Sequence, residues 1–335
     1  MKKFGLLSIL TLILLSGCQK KDAYLTILKD PDNIHRSMKQ LSDVIVHDIF
    51  SPPVASRIYV YPSIAAYEAM LPAYPSYKSL AGQLHGLTPT PQPDTTKNIS
   101  FELASVHAFL KIGTMLIFSE DKMKAYQDEL YARLRPTMPS DVWDNSLAYG
   151  EEVAAHIKSW MDGDNYKQTR TFPKFSITDE PSRWKPTPPA YIDGIEPAWA
   201  KIRTMVIDSS SMFKPTPPPA FDMTEGSPFR KYVEEVYRVV KESTPETKAI
   251  ASFWDCNPYV SHQTGHVMFA TKKITPGGHW IGITNIACHV AKADFPKTVE
   301  AYTLTSICLF DAFISCWDEK YRSNLIRPET VINQY

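Results

Sequence analysis

The sequence predicts an all-α protein in which two helical bundles are joined by a proline-rich segment. Apolar residues recur at helical spacing along most of the chain, and no convincing period-2 strand pattern competes with them. Glycine is scarce, with 13 residues in a chain of 335, as is typical of helical proteins. Prolines are concentrated in the middle of the chain, where they separate two helical stretches.

The N-terminus, residues 1–17, is predicted to be a lipoprotein signal peptide. Two lysines precede an apolar run from Phe4 to Leu15, which is too short to span a bilayer. The run leads into the sequence LSGC, which ends at Cys18 and resembles the lipobox of bacterial lipoproteins. The alternative is an ordinary secretory signal, but the small residues before Cys18 favour the lipoprotein. We therefore expect lipid on Cys18 to anchor the protein to a membrane of the cell envelope, as a periplasmic or outer-membrane lipoprotein, with residues 18–30 as a tether.

Residues 31–163 are predicted to form the first helical bundle. Its first helix has an apolar stripe that includes Ile34, Met38, Leu41, Ile45 and Ile49, and further helices are expected near 54–70, 99–118, 120–134 and 140–162.

Residues 164–227 contain the motif Lys-Pro-Thr-Pro-Pro twice and cannot continue a helix. This segment is either a ligand for a proline-recognising partner or a rigid strap against the bundle. Its many aromatic residues favour the strap: Trp184, Tyr191, Trp199, Phe213 and Phe221.

Residues 228–335 are predicted to begin a second bundle beside the first. Its expected helices lie near 228–243, 246–255, 278–292, 296–322 and 328–334. No further stretch reaches membrane-spanning length in this interpretation, so the mature body is expected to be soluble.

Charge and cysteine content limit the possible partners. Removal of the two signal lysines leaves 34 basic residues against 36 acidic ones, which argues against nucleic acid as a partner. The four cysteines of the body lie in apolar surroundings and are predicted to be buried free thiols. Cys308 and Cys316 would lie ~12 Å apart along one helix and so could not form a disulfide with each other. No CxxC pattern indicates structural zinc.

Histidine patterns give no metal site either. His262 and His266 are four residues apart and could share a helical face, but Gly265 weakens such a helix and no third ligand is indicated. Solvated or capping histidines are therefore predicted at these positions. His279 follows a Pro-Gly turn and is expected to help fix the start of a helix.

The last predicted long helix places a lysine on its apolar face. That face comprises Tyr302, Leu309, Phe313, Trp317 and Lys320. Arg327 follows Lys320 by two helical turns, ~10.5 Å along the axis, so the two long side chains can converge on one anion. Pro328 favours a non-helical conformation at Arg327. The alternative is that Lys320 interacts only with the helix dipole and Arg327 lies on the surface.

Lys320, six residues and then Arg327-Pro328 resemble the first signature of the superfamily that contains vanadium-dependent haloperoxidases and phosphatidic-acid-type (PAP2) acid phosphatases. Trp317 and Asp311-Ala312 resemble the haloperoxidase branch. The resemblance extends over roughly residues 30–335 and is closer to bacterial lipoprotein members than to fungal enzymes. It implies a fold like that of vanadium chloroperoxidase.

The resemblance also implies roles for individual residues. Lys320 and Arg327 would bind oxygens of vanadate or phosphate, and Trp317 would line the pocket. Asp255 is the candidate for the acid that the family places against its second arginine, although capping of the following turn is its other expected role. In a complete site, vanadate would support halide oxidation by peroxide, or a histidine nucleophile would support hydrolysis of phosphate esters.

The later signatures of the family, a Pro-Ser-Gly-His segment and then a further Arg and His, are not found, and none of the nine histidines lies in a matching context. We therefore expect the N-terminal part of such an enzyme, with an incomplete second bundle and no peroxidase or phosphatase turnover by these residues alone. The alternative is a non-catalytic, lipid-anchored binding protein or a decayed fragment. An incomplete bundle should expose the apolar face around Phe310, Ile314 and Trp317 and so favour association, including homo-oligomers.

Overall fold

The computed structural model describes residues 23–334 except 189–190 and 265–266. The predicted signal peptide and the predicted lipidation site at Cys18 lie outside the described residues. Within them the protein is mostly helical, as predicted. The helices before the proline-rich segment are α1 (Ala23–Leu28), α2 (Asp32–His47), α3 (Pro52–Met70), α4 (Phe101–Thr114), α5 (Glu120–Leu134) and α6 (Ser140–Asp162).

The elements after α6 begin with a short helix inside the proline-rich segment. They are α7 (Tyr166–Thr169), α8 (Pro228–Lys241), α9 (Pro245–Trp254), β1 (Tyr259–Thr264), β2 (Val267–Lys272), α10 (Pro276–Ala291), α11 (Phe295–Ser323) and α12 (Pro328–Gln334). Short 3-10 turns occupy Leu71–Ala73, Arg135–Thr137 and Trp199–Lys201. The predicted helices of both regions are therefore present, with ends that differ by a few residues.

Helix α3 is the central element of the core. Two prolines at its first turn start the helix, and every residue from Pro53 to Met70 is buried. Helices α4, α6, α10 and α11 all pack against it. Its small side chains, Ala55, Ala65 and Ala69 among them, allow neighbouring helices to approach on several sides.

Helices α10 and α11 form an antiparallel hairpin that belongs to the same core. Thr284 contacts Thr305 through their hydroxyl groups at 3.1 Å, and Asn285 donates to the Tyr302 hydroxyl at 3.0 Å. Phe310 of α11 is fully buried, with its ring centroid 6.3 Å from that of Tyr61 on α3. Helices α10 and α11 of the second set therefore lie beside the first set and share its core.

Helix α11 is long and apolar enough to meet the length and composition criteria for a membrane span. It thus corrects the expectation that no stretch after the signal peptide would do so. The helix runs for 29 residues, and 44% of its most apolar window is buried within the fold. Its inward face packs against α3 and α10, as in the core helix of a water-exposed domain.

The apolar face around Phe310, Ile314 and Trp317 is buried, so the expectation that it would be exposed is wrong. Phe310 packs between Tyr61 and Trp199, and the exposed fraction of Trp317 is 8%. The surface that is apolar and exposed lies instead on α8, α9 and α10 and on the outer side of α11. Its large side chains are Tyr232, Val236, Tyr237, Val239, Val240, Ile250, Phe253, Trp254, Trp280, Ile286, Val290 and Leu304.

The described residues of the predicted strap, 164–188 and 191–227, are irregular apart from α7 and one 3-10 turn. Its best-buried aromatic residue is Trp199, which has no exposed surface and packs against Phe310 of α11. Tyr191 and Phe213, which the strap interpretation also expected to pack, are more than 60% exposed. The segment therefore lies along the helices through some of its aromatic residues only.

A short N-terminal helix and a β-hairpin are among the elements that were not predicted. Residues 23–28 of the expected tether form α1, and Leu28 is buried. Strands β1 and β2 form an antiparallel hairpin in which Thr264 pairs with Val267. His262 therefore lies on a strand and not on a helical face, and His266 is outside the described residues. The strands are rich in β-branched and aromatic residues and flank Gly265, a pattern that favours a hairpin over a helix.

Helix α12 packs on α8 and forms a small second apolar cluster. Phe229 and Val233 of α8 contact Ile326 and Val331 from the end of the described chain. This cluster lies directly next to Arg327 in sequence, so it helps to fix the segment that carries that arginine.

Candidate functional site

Lys320 and Arg327 lie close together at the C-terminal end of α11. Lys320 is in the last turn of the helix, which ends at Ser323 and is followed by Asn324 in the left-handed conformation with φ 44°. Pro328 begins α12, and Arg327 precedes it outside any helix, as the sequence predicted. The predicted pair is therefore brought to one corner of the molecule.

The two cations have no anionic partner in the part of the chain that the structure describes. Neither side chain forms an ion pair or a hydrogen bond to another described residue, whereas the neighbouring Arg322 is bound to Asp318 at 3.2 Å and also to Glu319. Lys320 is an exposed residue, yet partial desolvation lowers its pKa below the usual value, and the charge of Arg327 lowers it further. The two positive groups therefore repel each other across an uncompensated site.

Trp317 forms one wall of this corner. The Lys320 ammonium nitrogen lies 4.7 Å from the centroid of the Trp317 ring, within the range of a cation–π contact. The indole nitrogen donates to the carbonyl of Ile195 in the strap at 2.9 Å, and the Tyr321 hydroxyl donates to the same carbonyl at 2.6 Å. The strap thus determines the orientation of the ring on which Lys320 rests.

The loop that carries Arg327 is attached to the strap by backbone hydrogen bonds. The amide of Trp184 donates to the carbonyl of Asn324 at 3.1 Å, and the amide of Ile326 donates to the carbonyl of Ser182 at 2.9 Å. Arg183 and Leu325 form an isolated antiparallel bridge between these contacts. Arg327 therefore follows a segment whose backbone is fixed on both sides.

Asp311, which contributes to the resemblance, is a structural anchor in the fold. Its buried carboxylate accepts hydrogen bonds from the backbone amides of three consecutive strap residues: Met205 at 2.7 Å, Val206 at 2.8 Å and Ile207 at 3.1 Å. A carboxylate that accepts several amide hydrogen bonds is a strong attachment point. Asp311 therefore fastens the strap two turns before Lys320 instead of contacting the cation pair.

Asp255 lies at the C-terminal cap of α9. Its carboxylate accepts a hydrogen bond from the amide of Asn257 at 3.3 Å and pairs with Lys273 at 2.6 Å. This ion pair, together with the hydrogen bonds to Asn257, lowers the pKa of Asp255. The capping role expected for Asp255 is present, while its relation to a second arginine stays a prediction.

Histidine and cysteine residues differ from expectation. Thr275 caps α10 by accepting from the Gly278 amide, so Thr275, and not the His279 ring, starts this helix. The His279 ring stacks on Trp254 and lies 3.2 Å from the sulfur of Cys256. All four described cysteines are free, as predicted, but only Cys288 is buried. Across the described ranges, no group of three His, Cys, Asp or Glu side chains could hold a metal ion.

Tyr321 and Ile195 are parts of the site that the sequence did not identify. Ile195 contributes only its backbone carbonyl, for which a sequence gives no signal. Tyr321 is adjacent to Lys320, but its side chain is directed towards the strap, a contact more than 120 residues away in sequence. The sequence showed only that Tyr321 is an aromatic residue next to a predicted ligand, and such a residue more often packs in the fold than takes part in the function.

Comparison with protein-family models gives no match, and comparison with curated proteins gives none either. Solved structures do match. This chain is 53% identical to the first bacterial vanadium-dependent iodoperoxidase, with a TM-score of 0.85 over 91% of this chain and 72% of that one. A holo-type bacterial vanadium-dependent chloroperoxidase has the same fold at 17% identity, with a TM-score of 0.60 over 86% of this chain and 65% of that one.

The fold is therefore that of the helical vanadium haloperoxidases. Sequence identity above one half, over most of both chains, also settles the relationship with the iodoperoxidase. This chain belongs to the vanadium-dependent haloperoxidase family, as its resemblance to that family predicted.

Proposed function

We propose that Lys320 and Arg327 are the first two oxyanion ligands of a vanadate site and that the protein acts as a haloperoxidase. The observation that carries this proposal is the uncompensated cation pair at the end of α11. It occurs where the chain has the spacing of the family's first signature, within a fold and a sequence similar to those of an iodoperoxidase.

The chemistry of the pair suits a tetrahedral oxyanion. Arg327 offers a planar fork of N–H donors, and Lys320 offers a compact point charge that can turn towards an oxygen. Burial, and then the charge of Arg327, lower the pKa of Lys320, and a bound anion would offset the repulsion between the two cations. Vanadate would thus be held by charge-assisted hydrogen bonds from this chain.

Vanadate, when bound in such a site, supplies activation of peroxide for the oxidation of a halide. The residues of this chain contribute binding and orientation. Lys320 and Arg327 neutralise the negative oxygens, and the Trp317 ring excludes water from one side of Lys320. This chain spans 72% of the iodoperoxidase, and the acid–base and ligand histidines and the second arginine that the resemblance implies are not identified within these 335 residues.

Phosphate is the natural competitor for the same site, because it has the same tetrahedral geometry and similar charge. Trp317 and the identity to an iodoperoxidase favour the haloperoxidase activity over hydrolysis of phosphate esters. A non-catalytic protein that only binds an anion is the other outcome that an experiment must separate.

The first experiment measures orthovanadate binding by calorimetry for the wild-type chain and for three variants. Lys320→Ala and Arg327→Ala should each weaken binding by roughly tenfold or more, because one charge-assisted contact is lost. Arg322→Ala is the control, because this arginine is on the same helix end but is paired with Asp318 and Glu319. Equal affinity in all four proteins would refute the site.

The second experiment measures turnover and the extent of the gene. Sequencing past the codon for Tyr335 shows whether a Pro-Ser-Gly-His segment and a later Arg and His follow. We expect vanadate-dependent iodide oxidation from a protein that includes them and none from the 335 residues alone. Vanadate-dependent oxidation by the 335-residue chain, lost in Lys320→Ala, would contradict the assignment of the catalytic histidines.

We also propose that lipid on Cys18 anchors the protein in the cell envelope, which is supported by the LSGC sequence after a short apolar run. Incorporation of labelled palmitate and partition into the membrane fraction test it. Both should be lost in Cys18→Ser and retained in Cys256→Ser, which alters a cysteine of the folded body.

A further inference from the structure

We propose that the strap is the positioning element of the anion site, with the Gly194–Ile195 backbone contacting Trp317 and Tyr321 on either side of Lys320. This inference rests on the proposed oxyanion site and adds residues that do not touch the anion. The strap would hold both cations in place before an anion arrives, so that binding does not have to order them.

The first contact is at the Lys320 side of the pair. The carbonyl of Ile195 accepts two hydrogen bonds, one from the Trp317 indole at 2.9 Å and one from the Tyr321 hydroxyl at 2.6 Å. Trp317 and Tyr321 are four residues apart and flank Lys320 on α11, so one carbonyl fixes both of its neighbours. Lys320 then rests 4.7 Å from the Trp317 ring centre.

The position of Ile195 is itself fixed. Glu196, the next residue, has a positive φ of 52° and pairs through both carboxylate oxygens with Arg170, at the end of α7. Gly194 packs so closely on Tyr321 that a Cβ atom there would lie 3.0 Å from the tyrosine hydroxyl and 3.4 Å from Cβ of Phe175. The carbonyl is therefore held by the body of the protein on one side and meets α11 on the other.

The second contact is at the Arg327 side. Residues 182–184 of the strap bind the backbone of residues 324–326 through two hydrogen bonds, of 3.1 and 2.9 Å. Phe175 links the two contacts, because its ring packs against both Trp184, at 5.9 Å, and Tyr321, at 5.2 Å. One aromatic residue thus joins the parts of the strap that hold Lys320 and Arg327.

The test compares Tyr321→Phe with the matched control Tyr232→Phe. The first variant loses only the hydroxyl that binds Ile195, and the second alters an exposed tyrosine of α8 with no hydrogen bond to another described residue. Orthovanadate affinity should fall roughly two- to tenfold in Tyr321→Phe, as is typical when one hydrogen bond is lost. The salt dependence of binding should keep its wild-type slope, because both cations remain, whereas Lys320→Ala should reduce it.

Gly194→Ala is the second variant, and it displaces the tyrosine hydroxyl without altering Tyr321 itself. It should weaken vanadate binding in the same direction as Tyr321→Phe. Wild-type affinity in both variants, accompanied only by a lower melting temperature, would overturn the proposal, since it would show a purely structural role.

A readout without any anion separates this inference from the proposed function. The pH dependence of amine modification at Lys320, followed by mass spectrometry, has its midpoint at the pKa of that amine. This midpoint should move to higher pH in Tyr321→Phe and Gly194→Ala, because a Lys320 side chain that is no longer held in place is better solvated. If the wild-type chain binds no oxyanion, the proposed function fails. A shifted midpoint would then still support positioning by the strap, and an unchanged one would refute it.

Discussion

Helices α2–α6 and helices α8–α12 are stabilised in different ways. In the first group α3 and α4 are buried almost all round, while in the second group α8 buries only Phe229 and Val233 and α9 buries no residue. More than half of the exposed large apolar side chains among the described residues lie between Tyr232 and Leu304. The two regions thus differ in how much of each helix is covered by other described residues.

The two regions also differ at the starts of their helices. In the second region α8, α9, α10 and α11 each begin with a side-chain cap, from Ser227, Thr244, Thr275 and Asp294 respectively. In the first region α2, α3, α5 and α6 begin without one, and only α4 is capped, by Ser100. Side-chain caps are therefore more frequent in the second region, but burial alone does not decide where they occur, since α4 is buried and capped while α5 is largely exposed and uncapped.

The largest expected difference is in the free energy of unfolding lost when a buried or an exposed phenylalanine is replaced by alanine. Phe109→Ala on α4 should lower the free energy of unfolding by about 4 kcal/mol, because it removes a fully buried ring from a close-packed core. Phe253→Ala on α9 should change it by less than about 1 kcal/mol, since that ring is 67% exposed. Denaturant titration of both variants measures the difference, and equal losses would contradict the distinction between the regions.

Removal of one partner of the buried ion pair of the first region should have the next largest effect. Arg57 binds Asp164 at 2.7 Å, and Asp164 also accepts from the Tyr61 hydroxyl. Asp164→Ala should cost about 3 kcal/mol, because Arg57 stays buried without its counter-charge. Asp43→Ala, which breaks an exposed pair with Lys39 on α2, is the control and should cost at most about 0.5 kcal/mol. Similar denaturation midpoints for both variants would argue against the burial of this pair.

A histidine at the junction of the two regions should make their association depend on pH. His35 of α2 stacks on His289 of α10, and its ring nitrogen is 2.7 Å from the Tyr302 hydroxyl of α11. Burial, and then the charge of His289, lower the pKa of His35 to about 4. The unfolded chain takes up a proton below pH ~6.5 and the folded chain does not until about 4, so stability should fall by about 3 kcal/mol as the pH is lowered through this range.

The variant His35→Gln isolates this effect from the titration of carboxylates. The pH dependence of its free energy of unfolding should be flatter than that of the wild type between pH 6.5 and 4.5. Superimposable pH profiles would show that the pKa of His35 does not differ between the folded and the unfolded protein.

Replacement of two helical glycines by alanine is expected to change the stability by smaller amounts and in opposite directions. A Cβ atom at Gly150 of α6 would lie 2.7 Å from the backbone oxygen of Ala104, so Gly150→Ala should force α4 and α6 apart and cost about 1.5 kcal/mol. Gly282 of α10 has no atom within 4 Å of such a position. Gly282→Ala should therefore stabilise by about 0.5 kcal/mol through helix propensity. Melting temperatures that move in the same direction would contradict this.

The capping contrast is expected to give the smallest effect. Asp294→Ala should weaken the start of α11 by about 1 kcal/mol, because the Lys297 amide loses its acceptor. Ser51→Ala at the start of α3 should be nearly neutral, because the Ser51 hydroxyl has no hydrogen-bond partner among the described residues. Hydrogen exchange of the first-turn amides of each helix is the measurement. Unchanged exchange rates in Asp294→Ala would show that packing, and not the cap, fixes the start of α11.

Most helices could be predicted because their signals are local. The stripe from Ile34 to Ile45 and the Arg327-Pro328 junction both depend on near neighbours in sequence, and both are confirmed. The predicted extension of the stripe to Ile49 is wrong, because α2 ends at His47 and Ile49 has a φ of 57°. The hairpin formed by β1 and β2 was missed because six-residue strands between long helical patterns give a weak periodic signal. The start of α10 was attributed to His279, although the capping hydroxyl belongs to Thr275.

The cation pair could be predicted from spacing, but its surroundings could not. Lys320 and Arg327 were identified from the motif, whereas the strap contacts at Ile195 and at residues 182–184 involve backbone atoms distant in sequence. The apolar face around Phe310 and Trp317 was expected to be exposed because the second bundle was predicted to be incomplete, and a sequence does not show which other residues cover a face. In the structure Trp199 of the strap and Tyr61 of α3 cover that stripe.

Because the strap is attached at Asp311, the parts of the chain before and after Phe213 are joined in two ways, by the polypeptide backbone and by hydrogen bonds. Covalent continuity passes through the exposed stretch around Phe213, while hydrogen bonds to Asp311, Trp317 and Asn324 fasten the strap to α11 independently of it. A protease that cuts once near Phe213 would therefore yield two fragments on a denaturing gel that migrate as one particle under native conditions. The contacts of the strap with α11 would therefore hold the two fragments of a cleaved chain together.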